Sequence, residues 1–208
     1  MDDQHLTQHM DKRLLKGEQM KRAILEHAIE IICNEGIMHV SAAKIAASIG
    51  TSKSNVFHHF KTREAILLGV HDYIFEAFKQ SFTLVESDFK AFLGTLGDAL
   101  FVPSEETKIY KAFFAFYNEG LFTTLFQDRL STSTATMIQL IEDQLTYFCD
   151  RAQLTDAQTK ERIKVVSHGI LAFMDGLGLH HMLRPNQDAL RQVWEVQITL
   201  WEQYLFNR

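Results

Sequence analysis

Proline, cysteine and long apolar runs are all scarce in this 208-residue chain, which has two prolines and two cysteines. No apolar run is long enough to span a membrane, and the first seventeen residues hold neither a signal-peptide core nor a cleavage site, so a cytoplasmic protein without membrane contact is expected. Cys33 and Cys149 sit within helical patterns and have no neighbour at metal-ligand or redox-motif spacing. They read as buried reduced thiols, with a redox sensor as the alternative. Paired acids, a glycine-rich phosphate loop and a nucleophile elbow are also missing, so catalysis has no support and no cofactor is expected. The ten histidines do not change this. His58-His59 and His180-His181 are adjacent, and neighbours on a helix diverge by about 100° and cannot chelate one ion. His5 and His9 have chelating spacing but fall in a polar N-terminal tail, so no metal site is expected.

Strand signals are lacking too, whereas apolar residues recur at three- and four-residue spacing through most of the chain. With 46% hydrophobic residues the chain can bury a core of normal size. An all-α fold of about nine helices is expected. The net charge of -5 argues against a protein that coats nucleic acid uniformly, but the charge is unevenly spread. Residues 12–63 hold nine Lys or Arg against four Glu, while residues 65–208 hold twelve against eighteen acids.

Residues 41–64, SAAKIAASIGTSKSNVFHHFKTRE, carry the most specific pattern. Ser41 can cap a short helix with Ile45, Ala46 and Ile49 on one side, and Gly50 can end it in a positive-φ conformation. Ser52 can cap a second helix of about two turns, with Val56, Phe57 and Phe60 facing inward. The outward positions come from Lys53, Ser54, Asn55, His58 and His59. Between Glu35 and Glu64 there is no acid, yet Lys44, Lys53, Lys61 and Arg63 are present, as a surface apposed to phosphates requires. The segment therefore reads as a DNA-binding helix-turn-helix. Lys53, Asn55 and His58 are candidates for base-edge contacts, and Ser41, Ser52, Ser54, His59, Lys61 and Arg63 for phosphate contacts.

Residues 21–68, about a quarter of the chain, resemble the DNA-binding domain of the TetR family of transcriptional regulators. The resemblance rests on an amphipathic helix over residues 24–35, Gly36, the Ile45-Ala46 pair, Gly50-Thr51-Ser52, Val56-Phe57, Phe60 and Lys61-Thr62-Arg63-Glu64. Two departures stand out. Phe57 replaces the family's usual Tyr and lacks a hydroxyl for a phosphate, and Ser54 and Asn55 replace the usual small residues.

Punctuation divides the remainder. Thr62 can cap a long helix reaching Phe82, a natural link between two domains. A break near Ser87-Asp88 starts a segment to about Leu100. Ser104, after Pro103, can cap a helix ending at Asn118-Glu119-Gly120. A further helix runs from about Leu121 to Arg151, Thr155-Asp156-Ala157-Gln158 forms a capping-box pattern for one reaching Leu183, and Pro185-Asn186 precedes a last helix over residues 188–206. The expected organisation is a flexible arm over residues 1–17, a three-helix DNA-binding domain over 18–64, and a larger helical ligand-binding and dimerisation domain over 65–208. Lys12, Arg13 and Lys16 in the arm can either reach a groove or simply be solvated.

The resemblance implies a small-molecule pocket in the larger domain. Its aromatic content suits an apolar or flat effector, although an aromatic stripe at helical spacing is more often core than ligand wall. Tyr110, Phe113, Tyr117, His168 and Phe173 are the candidate ligand-binding residues. By the same resemblance the last two helices form a homodimer interface, to which Val165, Val166, Ile170, Phe173, Leu177 and Leu179 of the first and Leu190, Val193, Trp194, Ile198, Trp201 and Leu205 of the second offer contact area; completing the monomer core is the other reading. Together these expectations describe a repressor that binds double-stranded DNA at an inverted repeat and is released by a small effector. A helical small-molecule binding protein without DNA function is the alternative, but it gives no reason for the acid-free window.

Overall fold

Side-chain caps set many of the helix boundaries in the computed structural model, which describes residues 3–82, 87–101, 105–183 and 187–206. Among these residues there are nine α-helices: α1 (Asp3–Glu35), α2 (Ala42–Ser48), α3 (Lys53–His59), α4 (Arg63–Phe82), α5 (Phe89–Phe101), α6 (Glu105–Phe122), α7 (Thr124–Arg151), α8 (Ala157–Leu183) and α9 (Gln187–Phe206). A 3₁₀ turn, Ile37–His39, separates α1 from α2, and no strand is present among the described residues. The all-α expectation is met. None of these helices is long and apolar enough to cross a membrane.

The chain forms two compact units, Met1–Ile74 and Phe75–Arg208, and the division falls inside α4. In the first unit, Ile24, Ala28, Ile45, Val56, Ile66, Leu67 and Val70 are buried and form a core shared by four helices. Gly36 (φ 97°) and Gly50 (φ 66°) take the left-handed backbone that ends α1 and turns the chain between α2 and α3. Gly69 meets a different need. A Cβ there would lie 2.8 Å from the Phe60 ring, so its absence lets α4 close over the end of α3.

In the second unit α6 packs on α7, α7 on α8 and α8 on α9, while α5 packs against both α8 and α9. Phe92, Leu96, Phe101, Phe116, Ile141 and Leu145 are buried at its centre. Trp194 enters this core from α9, and its indole N–H donates to the Leu93 carbonyl at 3.0 Å. A Cβ on Gly97 would sit 2.5 Å from that indole nitrogen, so α5 and α9 approach through a glycine.

Several local expectations are revised. Helix α1 starts at Asp3, where an arm was expected, because residues 4–16 include strong helix formers and no proline or glycine. Helix α6 continues past Gly120 to Phe122; Gly120 keeps a negative φ and makes room for the Leu130 side chain of α7. The α8 cap is Asp156, not Thr155. Its Oδ1 accepts from the Thr159 amide at 2.9 Å, and that bond holds the carboxyl below its usual range. The expected starts at Pro103-Ser104 and Pro185-Asn186 lie outside the described residues. Val166, Ile170, Leu177, Trp194, Ile198, Trp201 and Leu205 are buried within the protomer, which withdraws them from the expected dimer face.

Candidate functional site

Helices α2 and α3 are built by the residues that suggested them. The Ser41 hydroxyl accepts from the Lys44 amide at 3.3 Å, and the Ser52 hydroxyl accepts from the Asn55 amide at 3.1 Å. Between them Gly50 turns the chain, and the Thr51 amide donates to the Ala46 carbonyl at 2.9 Å. Val56 and Phe60 anchor α3 in the core, which leaves Lys53, Ser54 and His58 exposed along it. A capping hydroxyl still has its own O–H to donate, so Ser41 retains a donor for a phosphate. The Ser52 and Ser54 hydroxyls lie 2.9 Å apart and share one hydrogen bond.

Other candidates are placed less freely. The half-buried Asn55 donates from Nδ2 to the Thr51 hydroxyl at 2.9 Å, folding its amide back onto the turn. The Lys53 ammonium stands 5.6 Å from the centre of the Phe57 ring, a cation–π distance. His58 and His59 meet edge to face with centroids 5.3 Å apart. Desolvation, followed by the neighbouring His58, lowers the His59 pKa, so at neutral pH this ring offers a donor or an acceptor rather than a positive charge. Lys44 pairs with Glu35 and Lys61 is exposed. Arg63 departs most from expectation. Its Nε donates to the Val40 carbonyl at 3.0 Å and its Nη2 to the Ile37 carbonyl at 2.7 Å, so it clamps the 3₁₀ turn instead of standing free for phosphate.

The second unit contains a narrow cavity of about 30 Å³. Phe75, Phe78 and Phe82 of α4 line it together with Tyr110, Phe113 and Tyr117 of α6. Phe78 joins the rings, with centroids 4.6 Å from Tyr110 and 5.1 Å from Phe113. Helix α7 adds Ser133, Thr134 and Met137, and α8 adds Leu171, Met174 and Asp175. The Asp175 carboxylate accepts a 2.7 Å hydrogen bond from the Tyr117 hydroxyl. Burial pushes its pKa up to about 6, against the opposing effect of that bond. Burial and the Asp175 charge also raise the Tyr117 phenol, which stays protonated.

Three of the five expected ligand residues, Tyr110, Phe113 and Tyr117, thus share one cavity. His168 does not line it; it is exposed, with Nδ1 2.9 Å from the Lys164 carbonyl. Phe173 lies about 200° around α8 from Leu171 and Asp175; it stacks on Trp194 and meets Trp201 edge to face instead. Sequence reasoning missed Asp175, although it is the one acid of residues 162–183 and falls among apolar helix positions. Cys149 is buried with its thiol raised to about 11, a protonated and unreactive state. Among the described residues no three His, Cys, Asp or Glu side chains gather as a metal site.

Residues 24–70 match the model for bacterial regulatory proteins of the tetR family. No curated protein matches the chain. The whole fold is similar to a transcriptional regulator from Rhodococcus sp. Rha1, at 16% identity and TM-score 0.75, over 88% of this chain and 96% of that one. It is similar to a TetR transcription regulator from Haloarcula marismortui, at 19% identity and TM-score 0.72 over the same shares. A protein from Saccharomonospora viridis in complex with choline is similar at 21% identity and TM-score 0.72, again over 88% and 96%. Residues 24–70 are therefore a TetR-family helix-turn-helix domain, and the chain as a whole has the fold of TetR-family transcriptional regulators.

Proposed function

We propose that this protein is a ligand-responsive repressor that binds an inverted-repeat operator as a homodimer. The observation that carries this reading is α3, anchored by Val56 and Phe60 and presenting Lys53, Ser54 and His58 to solvent from a surface with no acid between Glu35 and Glu64. Lys53, Ser54 and His58 are its base-edge readers. Ser41, Ser52, His59 and Lys61 make the phosphate contacts, Asn55 orders the turn, and Arg63 holds the 3₁₀ turn in place.

One copy of a two-turn reading helix has little contact area, so affinity and spacing require a second. Support for a dimer comes from apolar side chains left exposed on the last two helices: Val165, Leu179 and Leu183 on α8, and Val193, Val196, Leu200 and Tyr204 on α9. The α9 residues recur at three- and four-residue intervals, which makes a stripe fit for a helix partner. Two reading helices then occupy successive major grooves about 34–36 Å apart.

The aromatic cavity is the effector site. Its Phe75, Phe78 and Phe82 belong to the same helix as Ile66, Leu67 and Val70 of the first unit. A cavity of about 30 Å³ holds no more than a water or two, so an effector has to displace rings on entry and shift the end of α4. Effector must then favour the non-DNA state by the same factor by which it weakens DNA binding. The choline complex of the similar protein from Saccharomonospora viridis supports a small organic effector. Selection of duplexes from a random library by the full chain tests the reading. Enrichment of a sequence with two inverted half-sites is expected, and no enrichment over input would refute it.

A further inference from the structure

The cavity's charge is at odds with its lining. Every ring around it is apolar or phenolic, yet α8 places one carboxylate, Asp175, among them. Among the described residues no Lys, Arg or His lines the cavity, and the hydrogen bond that Asp175 accepts there comes from a neutral phenol, Tyr117, at 2.7 Å. A carboxylate half removed from water into such a lining is unfavourable unless a cation or several donors compensate it. Its ionisation is already suppressed, with the pKa pushed up to about 6. A more favourable residue for an empty apolar core would be a neutral one, so the acid calls for a binding partner.

We infer that the effector is an organic cation, an amine or quaternary ammonium with an apolar body, whose charge is held against Asp175 inside the ring cluster of Phe78, Tyr110 and Phe113. The inference rests on reading this cavity as the effector site. Aromatic rings attract an ammonium within about 6 Å of their centroids, most strongly when water is excluded. An anionic effector would meet the Asp175 charge at close range, and a neutral one would bury that charge without compensation. The donor set does not suit a hard metal ion, because one carboxylate and four neutral hydroxyls among otherwise apolar walls fall short of the several charged or carbonyl oxygens such a cation takes. Met137 and Met174 line the same space, and their unbranched side chains can repack around a guest.

The test compares phenyltrimethylammonium with tert-butylbenzene, its uncharged isostere, by calorimetric titration of the full-length protein and of Asp175→Asn. In the wild type the cation should bind at least about tenfold more tightly than the isostere, a difference near 1.4 kcal/mol. Asp175→Asn should remove that preference by weakening the cation, with the isostere bound no more weakly than in the wild type, since the amide keeps the carboxylate's shape without its charge. Equal affinities in the wild type overturn the inference without needing any variant. So does a preference that survives Asp175→Asn. If the isostere binds and the cation does not, the cavity remains an effector site and only its cationic assignment falls. Binding of neither probe up to millimolar concentration removes the cavity as an effector site, and the inference with it.

Discussion

The Tyr117 hydroxyl of α6 donates to the Asp175 carboxylate of α8 at 2.7 Å, joining two helices beside a cavity walled mainly by aromatic and aliphatic side chains. Burial outweighs this bond and raises the Asp175 pKa from 3.8 to about 6. Folding therefore takes up a proton between these values, so the contribution of Asp175 to stability falls as pH rises from about 4 to 6, and the full penalty persists above. In the effector-free protein, Asp175→Asn should raise stability by roughly 1–3 kcal/mol at pH 8 and by nothing measurable below pH 4. Denaturant unfolding at the two pH values checks this. A loss of stability at pH 8 would show that the carboxylate is held by more than the phenol.

Arg63 makes its two backbone bonds where sequence reasoning expected a phosphate contact. Arg63→Ala leaves the Ile37 and Val40 carbonyls without this charged donor and should cost about 1.5–3 kcal/mol of stability. Lysine cannot span both carbonyls as the guanidinium fork does, so Arg63→Lys should recover only part of it. Thermal unfolding reads the effect, and unchanged melting of both variants would return Arg63 to the list of DNA contacts.

Lys61 is exposed just beyond α3. Lys61→Ala should weaken binding to every duplex alike and reduce the slope of log affinity against log salt by about one. Titrations between 50 and 200 mM salt, the range where about six contacts change affinity a thousandfold, provide the readout. An unchanged slope would take Lys61 out of the interface.

Leu200 is 51% exposed on α9, in line with Val196 and Tyr204. Leu200→Glu should halve the mass seen by sedimentation equilibrium at micromolar protein and lower operator affinity with it, because each dimer would place two uncompensated charges in an apolar contact. A dimer that survives the substitution would mean that copies associate through another face.

The reader unit was legible because its determinants act over a few residues. Gly50 supplies the turn, Ser41 and Ser52 cap helices within their own first turns, and Val56 and Phe60 face inward by helical period alone. The second unit was less so, since its decisive facts lie between helices. Sequence spacing identifies Phe113 and Phe173 equally well as aromatic residues on long helices, but only packing puts the first in the cavity and the second against Trp194. Gly120 looked like a helix end, and it is instead the gap into which Leu130 fits. The tryptophans looked like dimer contacts because area alone cannot tell one apolar partner from another. Asp175 went unnoticed for a related reason, because a single acid in a helix has meaning only once its surroundings are known.

Fluorescence-anisotropy titration of the selected operator duplex addresses the link between reader and cavity most directly. It compares the intact repeat, the repeat with one half-site scrambled, and the intact repeat in saturating phenyltrimethylammonium. The expected result is tight binding to the intact repeat, at least about tenfold weaker binding to the scrambled one, and a comparable loss when the cation is present. Equal affinity for all three would contradict a two-fold, effector-released DNA reader.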